Sequence, residues 1–166
     1  GLAAPSGFGK TTFCKILAGY EQPDEGQVLL DGKPLSEYKG YCPVQLIWQH
    51  PQEAVNPRRK MKTVLEEGGV LDERLIHGLG IEKEWMERYP GELSGGELQR
   101  FCIARALGEK TSFLLADEIT AMLDLITQSQ IWNFLLEEVR SREIGLLVVS
   151  HSEPLLQRIC TGRIQL

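Results

Sequence analysis

The chain has 166 residues, 42% of them hydrophobic and 25% charged; this excludes a disordered chain and is enough for one domain with a sizeable core. A formal net charge of −5 argues against broad electrostatic capture of nucleic acid or of an anionic membrane. No apolar run approaches the ~18 residues of a membrane helix, and no secretory signal pattern is present.

The sequence opens on Gly1 rather than Met and is expected to begin inside a longer protein. Its first stretch, GLAAPSGFGKTT, leaves residues 1–3 for the end of a strand, then a glycine-rich loop, then a helix. Phe13, Ile16 and Leu17 lie at helical spacing along KTTFCKILAG, and Gly19 is its natural stop. QPDEG signals a turn before a strand candidate, QVLLDG, and a second strand candidate, VQLIWQ, is bounded by Pro43 and Pro51. From 56 to about 92 charged helix-favouring segments alternate with glycines, which predicts a small helical insertion.

SGGELQRFCIARALG predicts a helix after a Ser-Gly-Gly turn, with an apolar stripe of Leu98, Cys102, Ile103 and Ala106 and with Gly108 as its stop. SFLLADE and IGLLVVSH are continuous apolar runs ending in polar residues, as strands covered on both faces do. A helix, QSQIWNFLLEEVRSR, lies between them. The predicted fold is therefore α/β, with a mostly parallel sheet flanked by helices. In such sheets ligands sit at the carboxyl ends of the strands. Cys14, Cys42, Cys102 and Cys160 are widely spaced with no C-x-x-C pair, which fits packing thiols in a reducing compartment better than disulfides or zinc.

Three segments carry chemistry. In SGFGKTT the glycines let backbone N–H groups turn inward and the helix aims its positive end at an anion. Lys10 would reach β- and γ-phosphates, Thr11 would offer a hydroxyl to Mg²⁺, and Thr12 would donate to a further phosphate oxygen. Asp117, ending an apolar strand, suits Mg²⁺ held directly or through water, and Glu118 suits orienting or deprotonating a water. Residues 93–96, in LSGGELQR, form a second glycine turn at a helix start, a second possible anion site. Two phosphate loops for one nucleotide are unusual.

In order along the chain, APSGFGKTT, LIWQHP, LSGGELQR, FLLADE, TAMLD and VVSH resemble the motifs of ATP-binding cassette (ABC) ATPases. The resemblance implies a P-loop NTPase fold of the RecA-like kind with a helical subdomain, and family N-terminal antiparallel strands largely missing from this chain. It implies one domain, 1–166, with an ATP-binding core over 1–55 and 101–166 and a helical signature subdomain over 56–100. It implies ATP and Mg²⁺, with phosphates held by Ser6, Gly7, Gly9, Lys10, Thr11 and Thr12 and the metal served by Thr11, Gln49 and Asp117. Glu118 and Gln49 would act on the attacking water and His151 on the γ-phosphate. The signature residues Leu93, Ser94, Gly95, Gly96 and Glu97 would meet the ATP of a second cassette paired head to tail, as homo- or heterodimer, with Asp124 communicating across it.

Ala4 replaces the first loop glycine, His50 and Ile119 stand where relatives often have Asp and Pro, and Met122 fills a usually small position. The residue that stacks on adenine would precede the chain. A Q-loop followed by Asn-Pro-Arg resembles importers of peptides, dipeptides and nickel. That branch implies a membrane permease docked near 49–59, no nucleic acid, and a place on the cytoplasmic face of a bacterial or archaeal membrane. Arg58, Arg59, Lys60 and Lys62 are expected to be a solvated basic face. The alternatives are a soluble ABC protein of DNA repair or translation and a silent structural cassette; the short segment between Gln49 and Ser94 lacks the heptads of a coiled-coil insertion.

Overall fold

A computed structural model describes residues 1–3, 7–69, 72–121 and 123–165. Ala4, Ser6 and Met122, named above, lie outside the described residues.

The main sheet has five strands in the order β4-β5-β6-β1-β7, where β1 is Leu2–Ala3, β4 Val44–Ile47, β5 Phe113–Asp117, β6 Gly145–Val149 and β7 Ile164–Gln165. Every neighbouring pair is parallel, and Leu2, Val149 and Asp117 lie abreast in one row of the register. All five carboxyl ends therefore emerge on one edge.

The apolar runs form strands because both faces are covered. Leu114, Ala116, Val148 and Ile47 enter one buried cluster, while the alternate residues Leu115, Leu147, Val149, Val44 and Leu46 enter the other. Helix α1 (Lys10–Leu17) covers the second face, with Cys14 fully buried. The first face is covered by α5 (Gly95–Ala106), α6 (Leu125–Ser141), α7 (Glu153–Ile159) and the insertion helices α3 (Met61–Glu67) and α4 (Glu73–Gly78). A four-residue helix, α2 (Pro51–Ala54), starts with Pro51 just after the residue-50 cap position.

Several sequence expectations shift. QVLLDG enters no strand of the main sheet: only β2 (Leu29–Leu30) forms, pairing antiparallel with β3 (Lys33–Pro34). The cause is Asp31-Gly32, both at positive φ (52° and 78°), the tight hairpin turn that right-handed strand twist favours. In α1 the buried residues are Lys10 and Cys14, with Ala18 behind them, whereas Phe13, Ile16 and Leu17 are half-buried flanks. The step of four from 10 to 14 to 18 is the face turned to the sheet. Strand β4 stops at Ile47, leaving Trp48 and Gln49 in the loop beyond the edge, and α6 starts at Leu125, three residues before the predicted segment. Helix α7 and strand β7 had no counterpart in the sequence reading.

The four cysteines are free, with Cys14 and Cys102 buried. Burial, aided by the Asp117 carboxylate, pushes the Cys14 thiol up to about 12, and burial pushes Cys102 to about 11.

Gly108, the expected stop, follows the helix and is needed for space rather than for positive φ. A methyl there would lie 2.6 Å from the Gly68 carbonyl oxygen and 2.7 Å from Tyr41 Oη. Arg142 donates to the Leu107 and Gly108 carbonyls at 2.7 and 2.6 Å, closing the end of α5. Gly108→Ala is expected to cost about 1–3 kcal/mol of stability by overpacking. A lowered urea midpoint at unchanged slope checks this; an unmoved midpoint would mean that the backbone of residue 68 yields freely.

Candidate functional site

Because the sheet is parallel, the loops after β1, β4, β5 and β6 leave its same edge. They bring the phosphate loop, Gln49, Asp117 with Glu118, and His151 to one side of the molecule.

Gly7 and Gly9 have φ of 82° and 77°, and no atom lies within 4 Å of a Cβ added at either. The backbone conformation, not crowding, is what calls for glycine. Gly9 starts α1 without a side-chain cap hydrogen bond, so the positive end of the helix opens on the glycine-rich loop. Thr11 and Thr12 are exposed, while Lys10 is only 7% exposed. A buried ammonium at the positive end of a helix has the wrong sign for that helix. It makes chemical sense where anionic groups share the site.

The Thr11 hydroxyl donates to Asp117 Oδ2 at 2.7 Å, joining the start of α1 to the end of β5. Asp117 is 2% exposed. A hydroxyl and a carboxylate are hard oxygen donors of the kind that hold Mg²⁺ together with waters and phosphate oxygens, so the residues present fit that ion. No cluster of three or more His, Cys, Asp and Glu side chains suited to a metal occurs among the described residues. Such a cluster is not what Mg²⁺ with a nucleotide requires.

Glu118 sits at φ 53°, a left-handed conformation that costs a non-glycine residue about 1–3 kcal/mol. Its amide donates to the Val149 carbonyl at 3.0 Å, which holds the bend against β6. Its side chain is 10% exposed, and Oε1 lies 3.1 Å from His151 Nε2. That separation is close enough for an ion pair, yet Oε1 lacks a hydrogen bond of good geometry. The result is a buried carboxylate oxygen without a hydrogen bond, 3.1 Å from a 55%-exposed imidazole at the mouth of the sheet edge.

The signature turn is built differently. Ser94 Oγ accepts from the Glu97 amide at 3.3 Å and the Ser94 amide donates to Glu97 Oε2 at 2.7 Å, a capping box that starts α5. Ser94 and Gly95 are exposed, and Leu93, Gly96 and Glu97 are half-buried. A methyl on Gly96 would lie 3.0 Å from Leu123 Cδ2, so the turn abuts the segment before Asp124. Asp124 itself caps α6, accepting from the amides of Ile126 and Thr127 and from the Thr127 hydroxyl, whose bond leads in holding its carboxyl below the usual range. Gln128 Nε2 donates to the Thr120 carbonyl at 2.7 Å, and Trp132 Nε1 to Thr120 Oγ1 at 3.0 Å. Sequence reading missed this bracing, because nothing in the spacing of Gln128 or Trp132 distinguishes them from ordinary helix residues.

The cavity beneath the β2–β3 hairpin, about 270 Å³ and lined in part by Ile16, Pro23, Val28 and Tyr38, contains none of these site residues. Of the described loop residues, Gly7 to Gly9 are exposed.

The family described as "ABC transporter" matches residues 1–121. The chain belongs to the ABC transporter family. Among curated relatives, this ABC chain is 34% identical to a nickel import ATP-binding protein of Rhodospirillum rubrum, over 96% of its own length and 64% of that protein. It is 31% identical to an oligopeptide transport ATP-binding protein of Streptococcus mutans, over 96% of its length and 58% of that protein. The chain thus spans less than two thirds of either relative. Among solved structures, a dimeric ATP-binding cassette in a post-hydrolysis state with ADP and Pi superposes with a TM-score of 0.84 at 24% identity, covering 99% of this chain and 79% of that one. That likeness shows the α/β fold of a P-loop NTPase.

Proposed function

We propose that this cassette binds and hydrolyses ATP and so drives an ABC membrane importer, of the peptide, dipeptide or nickel type. The observation that carries the reading is the convergence of Gly9 and Lys10, the Thr11–Asp117 pair and the Glu118–His151 pair on one sheet edge. Support for the branch comes from relatives named for nickel import and oligopeptide transport. Those names favour transport over repair or translation.

Ser6, Gly7, Gly9, Lys10, Thr11 and Thr12, together with the start of α1, hold the phosphates of ATP. Thr11 and Asp117, joined by Gln49, would hold Mg²⁺, which when bound neutralises charge on the phosphates. Glu118 Oε1 takes a proton from the attacking water as its oxygen bonds to the γ-phosphorus and the bond to ADP breaks. His151 donates to the γ-phosphate and Gln49 orients the water. Leu93, Ser94, Gly95, Gly96 and Glu97 of one cassette face the ATP of its head-to-tail partner, homo- or heterodimeric, and Asp124 stands at the seam. A permease docks near residues 49–59, which places the cassette on the cytoplasmic face of the membrane. Among the described residues no helix is long and apolar enough to cross a membrane.

The chain is read as one domain. Its core is 1–55 with 101–166 and its helical part 56–100, the boundary falling inside the continuous helix α5.

The full-length protein with Mg-ATP is expected to release phosphate at on the order of 1 s⁻¹ or faster, and EDTA should abolish this. Turnover that persists in EDTA would rule out the Thr11–Asp117 site as the seat of the metal.

A further inference from the structure

Three side chains on one face of α5 donate to three carbonyls of the segment after β4. Gln99 Nε2 reaches the Trp48 carbonyl at 3.2 Å, Cys102 Sγ reaches Pro51 at 3.8 Å as a weak S–H donor, and Arg105 Nη1 reaches Ala54 at 2.8 Å. Each pair is separated by the same 51 residues. Both partners advance three residues per rung. Because α2 and α5 are both helical they share one rise per residue, so the second and third rungs stay in step. The first rung extends the ladder into the loop that carries Gln49.

Gln99 differs from the other two. It is 3% exposed on a helix face otherwise filled by Leu98, Phe101, Cys102 and Ile103, and its Oε1 is buried with no hydrogen-bond partner. Turning the amide over would set its oxygen against the Trp48 carbonyl, so the donor direction is fixed by this bond. A leucine would fill the space without a stranded carbonyl, so packing does not account for a glutamine here. The Trp48 ring meets α1 and the turn after it: Lys15 Nζ of α1 lies 5.3 Å from the ring centre, and Tyr20, beyond the helix, packs edge-on at 5.3 Å. The residue before Gln49 is therefore held between the helix that starts at the phosphate loop and the helix that starts at the signature turn.

We propose that Gln99 is the positioning residue for Gln49: through the Trp48 carbonyl it sets where Gln49 stands relative to the Thr11–Asp117 pair and passes shifts of the signature helix to it. This rests on the ATPase reading above. In the full-length protein Gln99→Leu should lower kcat about tenfold with KM for ATP held within about twofold, the signature of misplacement rather than lost binding. Its Tm should change little, because removal of the stranded Oε1 offsets loss of the donor to the Trp48 carbonyl. In a Gln49→Ala background the same substitution should change kcat by no more than about twofold, since the two act as one unit.

Amide exchange across residues 48–54, measured without nucleotide, should quicken about tenfold in Gln99→Leu as the loop loosens. Gln99→Met serves the same comparisons where the leucine variant folds poorly. A kcat within twofold of wild type, an undiminished loss in the Gln49→Ala background, or unchanged exchange would each overturn the proposal. A wild type without turnover would remove the ATPase reading alone, and exchange would then decide the tie.

Discussion

Replacing Glu118 by glutamine is expected to lower ATP turnover by about 10²–10⁴-fold while ATP still binds. The substitution keeps the size of the side chain and removes only its capacity to accept a proton. On the proposed reading the phosphates are held mainly by the loop, the start of α1 and the Thr11–Asp117 pair, none of which the substitution touches. The bent backbone at φ 53° is set by the Glu118 amide on Val149, not by the carboxylate, so the loop should keep its shape. Oε1 has no hydrogen bond to give up, and the His151 imidazole 3.1 Å away can still meet an amide oxygen. Single-turnover measurement of phosphate release with radiolabelled ATP separates chemistry from binding. Turnover within a few-fold of wild type would move the proton acceptor to another group.

Lys10→Ala should have an effect of comparable size for a different reason. The lysine is buried at the first position of α1, where on the proposed reading its charge and the helix start would act on the same anion. Loss of one preorganised cation aimed at developing phosphate charge costs about 10²–10³-fold in turnover. Here, unlike Glu118→Gln, nucleotide affinity should fall as well, because the ammonium contacts the phosphates in the ground state too. Equilibrium binding of a fluorescent ATP analogue distinguishes the two variants. Unchanged binding and turnover in Lys10→Ala would remove the lysine from the phosphate site.

The sequence made the sheet edge legible where burial is two-sided. FLLAD and GLLVV are apolar without alternation because successive side chains enter different buried clusters. Position marks their terminal polar residues as facing a ligand edge, and only the ordered motifs of the family resemblance single out Asp117, Glu118 and His151. QVLLDG carries a similar apolar run, but Asp31-Gly32 turns the chain back within two residues, and turn chemistry overrode strand propensity. Helix α7 was missed because it is short and Leu156 is its one buried residue, too little for a period.

The left-handed backbone of Glu118 had no sequence signal, since glutamate is not a residue type that marks positive φ. Nor did the ladder from α5 to residues 48–54. Its regularity is an offset of 51 residues between two segments, which becomes visible only once the helices lie side by side. The Ser94–Glu97 capping box, by contrast, is a local pattern and was within reach of the sequence as a helix start.

The pairing of two cassettes around ATP is the claim on which the roles of Ser94, Gly96 and Asp124 depend. Sedimentation velocity of the full-length Glu118→Gln protein, with and without Mg-ATP, tests it most directly. A species of twice the mass that appears with Mg-ATP and is lost with Mg-ADP is the expected result. A protein that binds ATP yet sediments as a monomer throughout would contradict the head-to-tail site.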